Sequence, residues 1–376
     1  KIGSGINVDS SGVISVPQPY KRMTVNIDLT NSNPTTCITY ADDAVGMTPG
    51  SSAWDEFFGH YPVLFKNGAE VGKLKTSNFA QFEDGSAADI TSGNAGDVMI
   101  AFPRRGVKIT TVGNTLTISM TDDPDNAYFE YLAHTRGSAR KEKFYLGAYK
   151  GYNLSSKLRS LSGKAPTATQ TIGTFRTQAQ ANGSGYDQSG FYQLTFRQAM
   201  YLLKYKNLDS QTAVGRGYVY GNSAAINTGG TNAKGMDFGE TTGKLQMKLF
   251  GLEDFWGNIR EWIDGLFSNS TRNILTATEN FNDTGANYVD NGQGATAIIS
   301  GYMSKIQGSS ETGFIAKEAN GSETTCFCDY AYLDASCLPI FGGSWSDASI
   351  AGAFCLLVGL SASDSVADLG GRLMYL

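Results

Sequence analysis

Apolar and polar positions alternate with period two along much of the first 150 residues, and this pattern predicts strands. Met23-Thr-Val25-Asn-Ile27-Asp-Leu29 alternates cleanly. Val63-Leu-Phe65 runs into Lys66-Asn67-Gly68-Ala69, where Asn-Gly predicts a tight hairpin because both residues tolerate positive φ. Asp97–Pro103 reads as another strand, as do Val107–Val112 and Leu116–Met120 on either side of Gly113-Asn114. Phe144–Gly151 reads as an aromatic strand. Ahead of all of these, Ile6–Val16 alternates on both sides of Asp9–Gly12 and predicts a small hairpin. Two strands alone are marginal in water, so this hairpin is expected to pair with a neighbour or another subunit.

Beyond residue 150 the period changes. Phe196, Ala199, Met200 and Leu203 fall at helical spacing behind Thr195, which is the expected N-cap. In Gly251–Trp262, Gly257-Asn258 predicts a turn, with Ile259 and Trp262 on one helical side after it. Residues 268–325 are rich in Asn, Thr, Ser and Gly with apolar islands such as Ala297–Ser300, and predict an insertion carrying a hairpin or two. The C-terminal stretch is framed by Gly342-Gly-Ser-Trp345 and Gly370-Gly-Arg372-Leu373. Between them, residues 346–369 keep neither period and contain no Lys, Arg, Glu, Gln, Met or Trp. Loops on a rigid frame are how binding surfaces are commonly built. A buried Gly/Ser-rich strand pair is the structural alternative.

Composition narrows the function. The length of 376 residues suits two or three domains of about 150 residues, divided here as a hairpin attachment and oligomerisation segment over 1–19, a β-rich domain over 20–150 and a mixed domain over 151–376. Charged residues make up 17% and glycines number 45, which favours strands and turns over helical bundles. A net charge of −5 without a basic run argues against nucleic acid as a partner. No apolar run approaches the roughly 20 residues of a membrane span, so no membrane insertion is expected. The chain opens at Lys1 without an initiator Met or signal pattern, as a processed or truncated product would.

Chemistry-bearing residues are few. The five cysteines lack zinc spacing. Cys326-Phe-Cys328 would point both thiols to one face of a strand, where near neighbours rarely bridge. The cysteines are read as mostly free and buried, with no metal and no cofactor. Asp122-Asp-Pro-Asp125 lacks the Gly and terminal Glu of a calcium loop and reads as a solvated turn. His60 and His134 are the whole histidine complement and read as structural, so acid–base catalysis is poorly supplied.

The ordered motifs Gly251-Leu252, Asp254, Gly257-Asn258-Ile259 and Glu261-Trp262, then Gly342-Gly-Ser-Trp345, then Gly371-Arg372-Leu373, resemble those of formylglycine-generating-enzyme-type C-type lectin folds over residues 150–376. Within that group the chain is most similar to the variable proteins of diversity-generating retroelements. The resemblance implies an α+β fold: a C-type lectin-type C-terminal domain preceded by a β-rich N-terminal region. In such proteins, randomised template adenines yield codons that exclude Lys, Glu, Gln, Met and Trp, the types missing from 346–369. By that resemblance the variable, ligand-binding positions are Ser346, Asp347, Ile350, Leu357, Gly359, Leu360, Asp364, Val366 and Asp368. Ala335, Ser336 and Cys337 would precede them, and Cys355 would be frame or variable. Trp256, Trp262, Trp345, Phe354 and Arg372 would form the frame.

Gly5–Val16 and the block from Asp84 to Pro103 resemble phage tail-fibre segments, which commonly trimerise. The implied protein is a non-enzymatic homotrimer on a phage tail, or alternatively a bacterial surface, binding a protein or glycan receptor on a host cell. A formylglycine-generating-type oxidoreductase is the alternative within the fold. It needs a reactive cysteine pair, and only Cys355 follows Trp345. A calcium-dependent carbohydrate-binding lectin would need Glu-Pro-Asn or Gln-Pro-Asp, and neither triplet occurs.

Overall fold

The alternating segments become strands, and their partners follow from the turns between them. The computed structural model describes residues 19–376 and, ahead of them, strand residues 7–8 and 14–15. Asn7–Val8 pairs antiparallel with Ile14–Ser15, while the turn of this expected hairpin lies outside the described residues. Arg22–Asp28 is flanked by Ile38–Asp42 and Thr115–Thr121, and Gly106–Val112 completes a four-stranded antiparallel sheet. Val25 and Ile27 point into its core, as the period-two pattern requires.

The second sheet has seven strands, in the order Tyr186–Gln188, Leu373–Tyr375, Lys143–Gly147, Asp97–Pro103, Tyr61–Lys66, Ala69–Lys75 and Asn78–Phe82. Asn67 and Gly68 make its tight hairpin with φ of 52° and 78°. Its central strand is buried without a break from Asp97 to Phe102. The reason is that both faces are covered. Val98, Ile100 and Phe102 join one apolar cluster with the helix Phe191–Tyr205. Met99 and Ala101 join a second, against Ile172, Phe175 and Ala179 of the helix Ile172–Gln180.

This sheet crosses the boundary expected at residue 150. Leu373–Tyr375 lies between Lys143–Gly147 and Tyr186–Gln188, so the last strand of the chain closes the sheet begun in its first half. The chain is mostly strand and irregular loop with few helices among the described residues.

Three local expectations are corrected. The best helix begins at Phe191, capped by extended Gly190 rather than by Thr195. Thr195 sits inside it with a buried hydroxyl that has no partner, because the helix is buried from Phe191 to Lys204 on every side. Arg260–Trp262 is a strand, not a helix, since Asn258 at φ 62° turns the chain into a sheet. Cys326 and Cys328 lie in a turn with φ of 57° and 58°, not on a strand. The insertion does carry hairpins. Leu266–Ser268, Asn273–Thr276 and Val289–Gln293 form a three-stranded sheet, and Lys305–Ile306 pairs with Ala316–Glu318.

His134 illustrates how tightly the first cluster is closed. Its ring lies 4.9 Å from that of Phe144 and 5.1 Å from that of Phe196, and Nε2 is 3.2 Å from the Phe102 carbonyl oxygen. Burial depresses its pKa to about 3, so the folded protein holds it neutral. Below pH ~6.5 the unfolded chain takes up a proton that the native state refuses, and acidification removes stability. Wild type should therefore lose its advantage over His134→Gln by about 1.4 kcal/mol per pH unit between pH 6 and pH 4, measured by urea denaturation.

Candidate ligand-binding surface

The C-terminal motifs meet on a six-stranded sheet. Its order is Ile299–Tyr302, Tyr330–Leu333, Leu356–Leu360, Leu338–Phe341, Arg260–Trp262 and Leu369–Gly370. Register assigns its two faces, because directly paired residues point the same way. Glu261 pairs with Phe341, which pairs with Leu356, and these point to the core. Tyr302 pairs with Tyr330, and Tyr332 pairs with both Ser300 and Leu357. These side chains share the opposite face, all of them half-buried or exposed.

A charged cluster fixes the core side. Arg372 donates Nε to Glu261 Oε1 at 2.7 Å, and its other nitrogens reach the carbonyls of Gly147, Glu253 and Asp254 at 2.8–3.1 Å. Lys150 Nζ donates to the same Glu261 oxygen at 2.8 Å. All three side chains are fully buried. Burial alone would raise Glu261, but Arg372, Lys150 and Arg197 together hold it at about 2, so it stays an anion. Burial also raises the neighbouring Asp254 to about 7. Its Oδ2 accepts from Gln246 and from Asn258, which in turn clasps both backbone groups of Ile226.

The Gly-Gly-Ser-Trp frame is a turn above this cluster. Gly342 and Gly343 have φ of 95° and 77°, and a Cβ on Gly343 would stand 2.5 Å from that of Ala351. Both features demand glycine. Trp256, Trp262, Phe354 and Arg372 are buried, as the resemblance implied. Trp345 is only half-buried. Its backbone does the anchoring, donating to the Asn258 carbonyl at 2.9 Å and accepting from Asn222.

None of the nine candidate positions is buried. Ser346 and Val366 are exposed, and Asp347, Ile350, Leu357, Gly359, Leu360, Asp364 and Asp368 are half-buried. Strand alternation explains the middle group: Leu356 and Val358 face the core, and Leu357 lies between them on the outer face. Four of the nine also carry local structure. Asp347 Oδ2 accepts from the Ser344 amide at 2.7 Å, and its carboxylate pairs with Arg260 at 2.7 Å. Arg260 also pairs with Asp368, so one guanidinium ties together the loops 346–350 and 364–368. Asp364 accepts from the Ser361 amide at 2.7 Å. Tyr332 lies over Gly359, where a Cβ would come within 2.6 Å of its ring. Cys355 is buried and belongs to the frame. Ala335 and Cys337 are half-buried and Ser336 is exposed, in the connection between Tyr330–Leu333 and Leu338–Phe341.

The sequence reading missed Tyr302, Tyr330 and Tyr332. The Tyr302 and Tyr330 rings lie 5.8 Å apart edge to face, and the Tyr302 hydroxyl is 2.8 Å from Ser349 Oγ, which joins the loop of Ile350 to this face. Their signal was the alternation Tyr330-Ala-Tyr332-Leu333, half polar-aromatic and half apolar. Beside the face is a polar cleft of about 420 Å³, lined in part by Asp209, Gln211, Arg216, Asp329 and Ser349. Burial pushes the Asp329 carboxyl well above its ordinary range, and its Oδ2 accepts from the Phe354 amide at 2.7 Å.

The cysteine that follows Trp345 is a core residue. Cys355 is fully buried and unbridged, and burial pushes its thiol well above the usual value. Both histidines are buried against aromatic rings of the N-terminal half.

Stability should rank the three levels of the surface. Glu261→Gln deprives the buried Arg372, Lys150 and Arg197 of their shared counter-charge and should cost about 3–5 kcal/mol. Asp347→Ala frees the Ser344 amide and leaves Arg260 with Asp368 alone, and should cost about 1–3 kcal/mol. Ser346→Ala should stay within about 0.5 kcal/mol. Urea denaturation of the three variants measures the order.

No family model matches the chain, and no curated protein matches it. Among solved structures it is similar to the Major Tropism Determinant P3c variant, at 17% identity and a TM-score of 0.26, over 57% of this chain and 40% of that one. It is also similar to PvdO from Pseudomonas aeruginosa, at 12% identity and 0.31, over 74% and 94% of the two chains. A third is Treponema denticola variable protein 1, at 11% identity and 0.26, over 73% and 95%.

Proposed function

We propose that this chain is a receptor-binding protein that meets its partner on the outer face of the six-stranded sheet and the two loops beside it. One observation carries the reading: all nine candidate positions reach solvent while Phe354, Glu261 and Arg372 lie buried directly beneath. Side chains there can change with little effect on the core, because surface substitutions typically shift stability by about 0.5 kcal/mol or less. The exceptions are Asp347, Asp368 and Asp364, whose carboxylates hold the loops, and Gly359, where a Cβ would meet the Tyr332 ring.

The face suits a protein receptor better than a highly charged ligand. Tyr302, Tyr330, Tyr332, Leu357 and Leu360 offer large amphipathic area with few rotatable bonds, the residue chemistry of interface anchors. Val366, 43% exposed, extends it. The adjoining cleft, with Arg216 and Asp209, adds polar groups for orientation. We further propose that the exchangeable positions are diversified by a retroelement, and that the protein acts as a homotrimer on a phage tail, held by its N-terminal hairpin segment. A bacterial surface is the alternative setting. Both rest on the motif resemblance and on the missing residue types between 346 and 369.

The binding reading is tested with fluorescently labelled protein on a panel of bacterial strains. On a strain that is labelled, Tyr332→Ala and Tyr330→Ala should each reduce the bound fraction about tenfold or more, equivalent to about 1.4 kcal/mol, with unchanged thermal melting. Val71→Ala, exposed on the other large sheet, should bind as wild type. Equal binding by all three variants would refute the assignment of the face. Diversification has its own test in the source DNA. A near-copy of the coding segment for residues 326–376, differing at adenines and lying beside a reverse-transcriptase gene, is expected, and its absence would remove the variable-position assignment.

A further inference from the structure

Three of the five cysteines converge from two distant stretches of chain. Cys37 immediately precedes the strand Ile38–Asp42 of the four-stranded sheet, while Cys326 and Cys328 lie in the turn that ends the insertion. The Cys326 amide donates to the Ser32 carbonyl at 2.7 Å, and the Cys37 amide donates to the Asn33 carbonyl at 3.2 Å. Both residues are therefore fastened to neighbouring carbonyls of one short loop. Cys37 is 2% exposed within the large apolar cluster, and half-buried Cys326 packs against that same cluster. Burial is the main reason the Cys37 thiol is pushed up to about 11, and Cys326 is the largest like-charge contributor to that rise. Cys328 is a neighbour of both, but it is buried, with its Sγ 3.7 Å from the Cys326 carbonyl, whereas Cys326 is half-exposed.

We propose that Cys37 and Cys326, free thiols in this structure, are a disulfide pair that closes in an oxidising environment. The bond would tie the four-stranded sheet to the segment that leads directly into Tyr330–Leu333. Half-exposed Cys326 reacts first. Its thiolate attacks one sulfur of a small-molecule disulfide such as oxidised glutathione, forming a mixed disulfide and releasing one thiolate. Cys37, once deprotonated, attacks the Sγ of Cys326. The bond to the small molecule breaks, and a second thiolate leaves. The two protons lost by the protein thiols end on the two released thiols. Two protein sulfurs are oxidised, and the oxidant disulfide is reduced to two thiols. Because the thiolate is the nucleophile and burial keeps Cys37 protonated, closure should be faster at alkaline pH. Cys326 and Cys328 compete poorly with this pairing, because two cysteines one residue apart rarely meet disulfide geometry.

The test uses the whole chain. Protein is incubated with oxidised glutathione at pH 8 and freed of excess reagent. It is then unfolded in guanidinium with an alkylating agent and digested for mass spectrometry. The alkylated thiols should fall from five to three, that is, five minus the two bridged. A cross-linked peptide pair should join Cys37 to Cys326 and disappear on reduction. Cys328→Ser should keep the cross-link, and Cys326→Ser should abolish it. Five alkylated thiols in oxidised wild type would overturn the proposal. So would a bridge from Cys328 to either Cys37 or Cys326. The wild-type peptide map, with fragmentation to separate Cys326 from Cys328, decides the matter even where a variant fails to fold.

Discussion

A single carboxylate holds the C-terminal half together. Glu261 lies between Arg372 and Lys150 with no exposure to solvent, and Arg372 spends its remaining donors on carbonyls from two other segments. Such a cluster is costly to form, since each ion is stripped of water. Once formed it is intolerant of partial dismantling, because any member removed leaves its neighbours charged and buried. It therefore fixes where the strand Arg260–Trp262 lies relative to the last strand of the chain, and with it the height of the Gly342–Trp345 turn.

Strand alternation then converts that anchor into a two-sided sheet. Glu261 and Phe341 point down into the core, and Arg260, one residue along, points up to the loops. The same rule puts Leu356 and Val358 below and Leu357 above. A one-residue slip would exchange the faces, bringing Arg260 into the core and Glu261 to the loops. The left-handed turn at Gly257-Asn258, the doubly left-handed Gly342-Gly343 and the ion cluster all resist that slip.

Much of this was legible in the residues. Period-two runs such as Met23–Leu29 and the Asn67-Gly68 turn depend on local sterics and one-sided burial, which a sequence displays directly. The frame residues Trp256, Trp262, Phe354 and Arg372 were visible through motif order. What was hidden depended on partners distant in sequence. Residues 259–262 have a spacing that suits a helix, and only pairing with Phe341 and Gly370 makes Arg260–Trp262 a strand. The pairing of Leu373–Tyr375 with Lys143–Gly147 joins residues more than 220 positions apart, and no local pattern announces it. Tyr330 and Tyr332 were missed because only pairing with Ile299–Tyr302 on one side and Leu356–Leu360 on the other sets them on one face. In the sequence Asp347 reads only as a variable binding position, because its partner Arg260 lies in a separate motif.

Arg260 gives the surface a grammar. Its guanidinium joins two loops through two carboxylates, so positions 347 and 368 do not contribute to shape independently. Replacing either acid alters the posture of the loop that carries the other, and two replacements together need not sum. A repertoire built on this scaffold is thus smaller than the product of its positions. Its members would be sorted into those that retain the Arg260 clasp, with loops held close, and those that release it, with loops free to settle on a differently shaped partner.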